Sequence, residues 1–222
     1  MSWLATAILG GIVGLDATSF PQIMISRPVV AGVLTGGLFG RPAEGLALGF
    51  LVEVFALIIL PIGAARYPES GTATVAATAA YLAATPPGLQ AGSLLLALAF
   101  ALGWERLAGE SVVLHRRSNG RMLIGGGPLA ADALERRHLV AMTLDFMRGG
   151  LVAVAGALAG YGLLRLLAPL WELPQATTLA VLGIAAAGML GTAVPLFGAG
   201  RAARVSLVAG LLVGVALAVA VW

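Results

Sequence analysis

Residues 45–65 read GLALGFLVEVFALIILPIGAA, with Glu53 as the one charged side chain in the run. A helix needs about 20 mostly apolar residues to cross the hydrocarbon core of a bilayer. The whole chain has the same character, because 59% of its 222 residues are hydrophobic and 10% are charged. Soluble domains average roughly 25% charged residues. The sequence therefore predicts an integral membrane protein.

Further apolar runs extend this prediction along the chain. Four of them are candidates for complete spans: 89–104, 149–164, 176–197 and 205–222. Apolar runs of about 10–14 residues are typical of re-entrant or interfacial segments. Three runs belong to this shorter class: 4–15, 29–39 and 71–84. We expect an all-α fold with about six transmembrane helices plus one or two short re-entrant or broken segments. The alternative is short spans lengthened by their flanking residues.

Arginine and tryptophan suggest how the chain is oriented. The longest polar stretch, 105–138, is expected to be cytoplasmic by the positive-inside rule. It holds six of the thirteen basic residues: Arg106, Arg116, Arg117, Arg121, Arg136 and Arg137. The loop at 171–174 is poor in arginine, as an outer loop should be, and Trp104, Trp171 and Trp222 are expected near span ends. Membrane topology therefore explains the net charge of +3, and the charge is no reason to expect nucleic-acid binding.

Small residues predict where helices pack closely. The chain contains 31 glycines, and several recur at the small-xxx-small spacing. That spacing allows two helix backbones to approach each other. We expect such contacts at three pairs: Gly10/Gly14, Gly45/Gly49 and Gly156/Gly160.

Glu53 is the first candidate for a functional residue, because it lies near the middle of the most apolar run. A charged side chain at a helix centre costs about 2.5–3.5 kcal/mol on the insertion scale and usually faces a bundle interior or a wet cavity. We expect Glu53 to contact a solute. A buried ion pair or a contact with a partner chain is the alternative.

A polar segment follows the first apolar run, beginning at Asp16 and continuing through Gln22. Non-helical backbone at membrane depth is tolerated where it lines a cavity, and an amide both donates and accepts hydrogen bonds. This segment therefore suits an unwound, solute-lining stretch. For Asp16, a role at the end of the preceding helix is the alternative.

Other charged groups have simpler expected roles. Arg27, which precedes Pro28, is expected to pair with a carboxylate or to mark a cytoplasmic end. Asp145 and Arg148 are three positions apart, and residues at this spacing are neighbours on one helix face. We expect them to form a structural pair.

Glu69 and the two histidines lie near the ends of apolar runs. Glu69 is expected to cap a helix that begins at Gly71, because acidic side chains favour helix N-termini, and Ser70 is an equally good cap. His115 and His138 are assigned to the polar stretch 105–138 rather than to catalysis.

Enzyme signatures are missing from the sequence. The chain has no cysteine and two histidines, which argues against thiolate or histidine metal clusters. It has no Gly-x-Ser-x-Gly, no His-Glu-x-x-His and no phosphate-loop lysine. We therefore expect no catalytic residue, metal or cofactor on this chain. Carboxylates with amide and hydroxyl neighbours suit a polyol, so the residues alone predict a transporter of a small polar solute.

Residues 26–70 carry a more specific pattern, SRPVVAGVLTGGLFGRPAEGLALGFLVEVFALIILPIGAARYPES. An Arg-Pro opens an apolar segment that ends in Gly40, and a Gly-x-x-x-Glu follows with Glu53 as its acid. The run closes on Ile-Gly-Ala-Ala at 62–65 and on Pro68-Glu69. This pattern resembles the membrane subunit IIC of the mannose/fructose/sorbose family of the bacterial sugar phosphotransferase system. Residues 138–148 are similar to the family's helix after the cytoplasmic segment.

The resemblance implies a single IIC domain over 1–222 in the bacterial inner membrane. It implies a homologous IID partner, trimers of IIC–IID heterodimers, and sugar passed inward for phosphorylation by a separate IIB subunit supplied by IIA. The cytoplasmic stretch 105–138 is then a docking surface for IIB. The implied sugar contacts fall on five residues: Glu53, Asp16, Gln22, Arg27 and Glu69. The stretch between Asp16 and Arg27 differs from the family's commoner Asp-Glu-Phe-Gln-Phe-His-Arg-Pro in the spacing of its acid and amide.

Three alternatives stay open at this point. The length and hydropathy also suit the substrate-binding membrane subunit of an energy-coupling-factor transporter. A reduced phosphotransferase system that regulates without transporting is another possibility. An intramembrane lipid-modifying enzyme would need a dense polar cluster at one membrane face.

Overall fold

The computed structural model describes residues 3–59, 67–123, 131–197, 200, 201, 205 and 208. All regular elements in these residues are helical, which confirms the predicted all-α class. The seven α-helices are α1 (Trp3–Thr18), α2 (Pro28–Leu38), α3 (Pro42–Ala56), α4 (Ser70–Ala84), α5 (Ala91–Leu123), α6 (Ala131–Leu167) and α7 (Gln175–Ala193). Short 3₁₀ segments, Ala168–Leu170 and Val194–Phe197, follow α6 and α7.

Three of these helices, α5, α6 and α7, are long and apolar enough to cross a membrane. α5 has 33 residues and α6 has 37. At 1.5 Å per residue these helices are about 50 Å and 55 Å long, so both extend well beyond a hydrocarbon core of about 30 Å. α1 and α2 are shorter apolar helices, as expected for 4–15 and 29–39. The predicted span 205–222 lies almost entirely outside the described residues.

The run at 45–65 does not form one continuous span. α3 begins at Pro42 and ends at Ala56, and the chain then turns, with Ile59 donating its N–H to the Ala56 carbonyl. Glu53 therefore lies in the last turn of α3 and not at mid-span. Pro61 supplies a reason, because proline lacks the N–H that a helix needs and disfavours helical backbone in the residue before it. Residues 60–66, including the Ile-Gly-Ala-Ala motif, lie outside the described residues.

The polar stretch 105–138 is also not a loop in the part that the structure describes. α5 continues through it to Leu123, and α6 starts at Ala131. Glu105 and Ala108 are buried, because one face of α5 keeps its helical apolar pattern where the average composition becomes polar. Trp104 lies within α5 and donates to the Val152 carbonyl of α6 at 3.2 Å, so it packs between helices and does not mark a span end.

α4 forms the centre of the bundle. Residues 71–82 are all buried, and α1, α2, α3, α5 and α6 pack around them. The sequence of α4 is mostly alanine and threonine, and small side chains of this kind allow other helices to approach closely. The short run 71–84 is therefore a core helix, which brings the residue before its first turn, Glu69, into the interior.

Glycine contacts set the closest helix approaches, as predicted. A Cβ on Gly45 of α3 would lie 2.8 Å from the Gly36 Cα of α2, and a Cβ on Gly14 of α1 would lie 2.9 Å from the Gly149 Cα of α6. Two of the three predicted pairs lie at such contacts, Gly10/Gly14 against α6 and Gly45/Gly49 against α2. The third pair, Gly156/Gly160, instead makes room for the side chains of Trp104 and Phe100 of α5.

Candidate functional site

A cavity of about 140 Å³ lies where the loop after α1 meets the first turn of α4. The start of α2, the end of α3 and the segment before α4 form its other walls. Its polar and ionisable lining residues are Ser26, Arg27, Tyr67, Glu69 and Ser70. Two of the five predicted site residues, Arg27 and Glu69, therefore line one cavity.

The Arg27 side chain pairs with Glu53. Pro28 occupies the first turn of α2, which places Arg27 at the N-cap position of that helix. The Arg27 guanidinium forms an ion pair with the Glu53 carboxylate, and the Val29 N–H donates to the second Glu53 oxygen at 3.3 Å. The predicted pairing of Arg27 with a carboxylate is confirmed. Glu53 contacts Arg27 and the α2 N-terminus, and does not itself line the cavity.

Asp16 shapes the loop between α1 and α2. Its two carboxylate oxygens accept the backbone N–H groups of Ile23 at 2.6 Å and Ser26 at 2.7 Å. Asp16 is buried although it lies near the end of a helix, so it acts on the loop backbone that carries Ser26 to the cavity. Gln22 is exposed, at a positive φ of 59°, and does not line the cavity.

Glu69 does not cap α4. The helix begins at Ser70, and Glu69 holds the N-cap position without a side-chain capping hydrogen bond. Its Oε2 instead accepts a hydrogen bond from Arg148 Nη1 at 2.9 Å, while its backbone N–H donates to the Glu105 carbonyl at 2.9 Å. Glu69 is 2% exposed, so the predicted capping role is wrong and the carboxylate belongs to the interior.

Behind Glu69 lies a buried group of polar side chains that we call the Arg148 cluster. Arg148 Nε donates to Asp145 Oδ1 at 2.8 Å, which confirms the predicted pair on α6. The cluster is larger than the sequence suggested, because it joins α6 to α1, α4 and α5. Its members are Arg148, Asp145, Glu69, Ser111, Thr18 and Ser19.

His115 lies beside this cluster. Its Nε2 is 3.9 Å from Asp145 Oδ1 and 3.0 Å from the Asn119 side-chain amide. The sequence placed His115 in a polar loop, whereas it lies on the inward face of α5. The Asn119 contact is a local one, four positions along the helix, whereas no local signal indicates the contact with Asp145, thirty positions away.

A second polar network lies at the other end of α4. Arg41 pairs with Glu44 and donates to the carbonyls of Leu82, Thr85 and Pro86 at 2.7–2.9 Å. It joins the start of α3 to the end of α4. Its donors are well occupied, so it serves packing and not solute binding.

The cavity is well suited to hydroxyl groups. Arg27 offers guanidinium donors, Glu69 offers a carboxylate, and Ser26 and Tyr67 offer hydroxyls that both donate and accept. Glu69 Oε1 has no hydrogen-bond partner among the described residues. The Thr72 hydroxyl is also unpaired among them, but Thr72 does not line the cavity. The cavity thus brings together donors and acceptors of the kind that pair with hydroxyl groups of a small polar solute.

Comparison with known proteins agrees with the pattern at 26–70. A family model described as "PTS system sorbose-specific IIC component" matches residues 1–113, just over half of the 222-residue chain. No curated protein matches the chain. The resemblance drawn from the sequence is therefore confirmed, and the matched part includes all of the described residues that line the cavity.

Proposed function

The chain belongs to the sorbose-specific IIC family of the sugar phosphotransferase system, and we propose that it binds a hexose-like sugar in the cavity between Arg27 and Glu69. The sugar then passes inward for phosphorylation by a separate IIB subunit. The observation that carries this proposal is the joint placement of a guanidinium and a carboxylate on one cavity inside the matched part of the chain. The family match also favours this function over an energy-coupling-factor subunit or a lipid-modifying enzyme.

The chemistry of the cavity supports a monosaccharide. Sugar hydroxyls both donate and accept, so they can pair with the Glu69 carboxylate and the Arg27 guanidinium together. Apolar lining residues, among them Ile59 and Ala56, suit the C–H faces of a sugar ring. The volume of about 140 Å³ is below the roughly 300–1,000 Å³ of drug-sized pockets. This size fits one small solute, with further contacts supplied by a partner subunit.

Membership of the family implies that this multi-pass membrane protein associates with other phosphotransferase components. We infer a IID partner, a trimer of heterodimers and a bacterial inner membrane location from the family resemblance. The exposed apolar side chains of α6 and α7, such as Leu151, Leu166 and Ile184, suit contact with lipid or with such a partner.

The ends of α5 and α6 suit the IIB subunit. Arg117 and Arg121 are exposed near the end of α5, and Arg136 is exposed near the start of α6. Basic side chains of this kind steer an acidic or phosphorylated surface toward them. We therefore infer that IIB docks on residues 105–138, at the end of α5 and the start of α6.

A labelling experiment tests the sugar site directly. The chain has no cysteine, so Ser70→Cys introduces its one thiol at the cavity wall. We expect sorbose, fructose or mannose to slow alkylation of this thiol in the IIC–IID complex. Ser118→Cys, on an exposed part of α5, is the matched control and should react at the same rate with or without sugar. Failure of all three sugars to protect Ser70→Cys would contradict the proposed site.

Glu53→Gln tests the role of the ion pair in the same assay. Glutamine cannot balance the Arg27 charge, so the guanidinium should lose its fixed position. We expect the sugar concentration for half-maximal protection to rise about tenfold or more, since a hydrogen bond to a charged group is worth about 1.5–3 kcal/mol. Wild-type protection in this variant would remove Glu53 from the site.

A further inference from the structure

We propose that Arg148 is a positioning residue of the sugar site, which holds Glu69 so that one carboxylate oxygen remains free for a sugar hydroxyl. The inference rests on the proposed function, because it takes the cavity to be the place where sugar binds. It adds to that function a residue from the half of the chain that lies outside the family match.

Arg148 is anchored firmly enough to act in this way. Its Nε donates to Asp145 Oδ1 at 2.8 Å, and its Nη1 donates to Ser111 Oγ at 3.0 Å. Asp145 is fixed in turn, because its Oδ2 accepts hydrogen bonds from the hydroxyls of Thr18 and Ser19. The guanidinium is planar and its donors point in fixed directions. Contacts from α1, α5 and α6 therefore determine where Nη1 points.

Arg148 holds the Glu69 carboxylate through only one of its two oxygens. Oε2 accepts from Arg148 Nη1 at 2.9 Å. Oε1 is buried and has no hydrogen-bond partner within the part of the chain that the structure describes, and the same is true of the Thr72 hydroxyl one turn into α4. Buried polar atoms in folded proteins are nearly always paired, so such atoms call for a ligand or a water. Glu69 lines the cavity, which makes a sugar hydroxyl the suitable partner.

The pairing also lowers the cost of placing the Glu69 carboxylate in the interior. A carboxylate in a buried site is costly unless a positive charge pairs with it. Arg148 supplies that charge from the side of Oε2 and leaves Oε1 to the solute.

The test is a double-mutant cycle on sugar binding by the complete IIC–IID complex in vesicles, with radiolabelled sorbose, fructose and mannose as probes. Glu69→Gln and Arg148→Gln should each raise the dissociation constant about 10- to 100-fold, the range for a hydrogen bond to a charged group. The double variant should bind no more weakly than Glu69→Gln, because Arg148 acts through Glu69. A purely structural arginine would instead add its own loss to that of Glu69→Gln.

Two further variants separate orientation from charge and from folding. Arg148→Lys keeps the positive charge but cannot bridge two carboxylates with fixed geometry, so we expect about tenfold weaker binding with a normal level of assembled complex. Arg165→Lys, an exposed arginine on the same helix, should bind sugar as the wild type does. If Arg148→Gln fails to assemble, Arg148→Lys decides the question, because it keeps a positive charge beside both Asp145 and Glu69.

The outcomes distinguish this inference from the function on which it rests. If the wild type binds sugar and Arg148→Lys binds equally well, or if the losses from Glu69 and Arg148 add, the positioning role is wrong while the sugar site stands. If the wild type binds none of the three sugars, the proposed function fails and the role of Arg148 fails with it.

Discussion

The three carboxylates nearest the cavity differ in what occupies their oxygens. Asp16 accepts two backbone N–H groups of the loop after α1. Glu53 pairs with the Arg27 guanidinium and accepts the Val29 N–H. Glu69 pairs through one oxygen and keeps the other without a partner among the described residues. These side chains therefore have different surroundings: Asp16 supports the loop, Glu53 supports Arg27, and Glu69 is the one that we propose contacts the solute.

Asp16→Asn tests the role in loop support. Asparagine keeps one acceptor oxygen but places an N–H₂ group where the second backbone N–H needs an acceptor. A buried donor left unpaired costs about 1–3 kcal/mol, so we expect the free energy of unfolding to fall by that amount. The measurement is the thermal unfolding transition of the detergent-solubilised protein.

Glu172→Gln is the matched control for this change. It makes the same carboxylate-to-amide replacement at an exposed position in the loop before α7, and surface changes of this kind usually stay within about 0.5 kcal/mol. An Asp16→Asn protein that unfolds at the wild-type temperature would show that the two loop hydrogen bonds contribute little.

At the scale of elements, α2 and α3 depend on backbone-to-backbone contact. A Cβ on Gly36 would lie 2.7 Å from the Arg41 carbonyl oxygen and 2.9 Å from the Pro42 Cα, whereas a Cβ on Gly37 would meet nothing within 4 Å. Neighbouring glycines of one helix therefore differ completely in what surrounds them. At the other end of the pair, a Cβ on Gly49 would lie 2.5 Å from the Pro28 carbonyl oxygen, so close packing there holds the start of α2, next to Arg27, against α3.

Alanine substitution at these two glycines gives a paired prediction. Gly36→Ala should lower the free energy of unfolding by about 1–3 kcal/mol, because the backbone atoms it meets cannot move aside without separating the helices. Gly37→Ala should be neutral or stabilising by up to about 1 kcal/mol, since alanine loses less conformational entropy in a helix than glycine does. Thermal unfolding of both variants in one detergent is the measurement. Equal transitions would mean that α2 and α3 do not pack this closely.

The elements also show what the sequence could and could not predict. Two of the three small-xxx-small pairs, Gly10/Gly14 and Gly45/Gly49, were predicted correctly, because their spacing alone places both members on one helix face. The end of α3 was missed, because an apolar run of 21 residues at 45–65 outweighed the effect of Pro61. The continuation of α5 beyond Trp104 was also missed. The high average charge of 105–138 predicted a polar loop, although one face of the helix, which includes Glu105 and Ala108, is buried.

Across the whole molecule, the polar contacts follow the central helix. α4 is buried over 71–82, the Arg148 cluster lies at its beginning, and the Arg41 network lies at its end. The sequence could predict the Asp145–Arg148 pair, because the spacing is local. It could not predict the contact of Arg148 with Glu69, 79 positions away, because no periodicity links residues at that separation. The sequence could therefore predict the contacts of the candidate site between residues that are close along the chain, but not the contacts between residues that are far apart.

The ends of α5 and α6, where we propose that IIB docks, make the orientation of the molecule testable. α5 is about 50 Å long, so roughly 20 Å of it extends beyond a 30 Å hydrocarbon core. The arginines near its C-terminal end, Arg117 and Arg121, belong on the cytoplasmic side by the positive-inside rule. α6 starts on the same side of the membrane and crosses it, so the loop at 171–174, which follows α6, then lies outside.

Single cysteines in this cysteine-free chain check that orientation. We expect a membrane-impermeant maleimide to label Glu172→Cys in intact cells and to label Ser118→Cys only after the membrane is opened, since both positions are exposed in the structure. Labelling with a permeant maleimide controls for the reactivity of each thiol. The reverse pattern would place the arginine-rich ends of α5 and α6 outside the cell. The cytoplasmic IIB subunit could then not reach this surface, so the proposed docking role would be excluded while the sugar cavity beside Arg27 would not be affected.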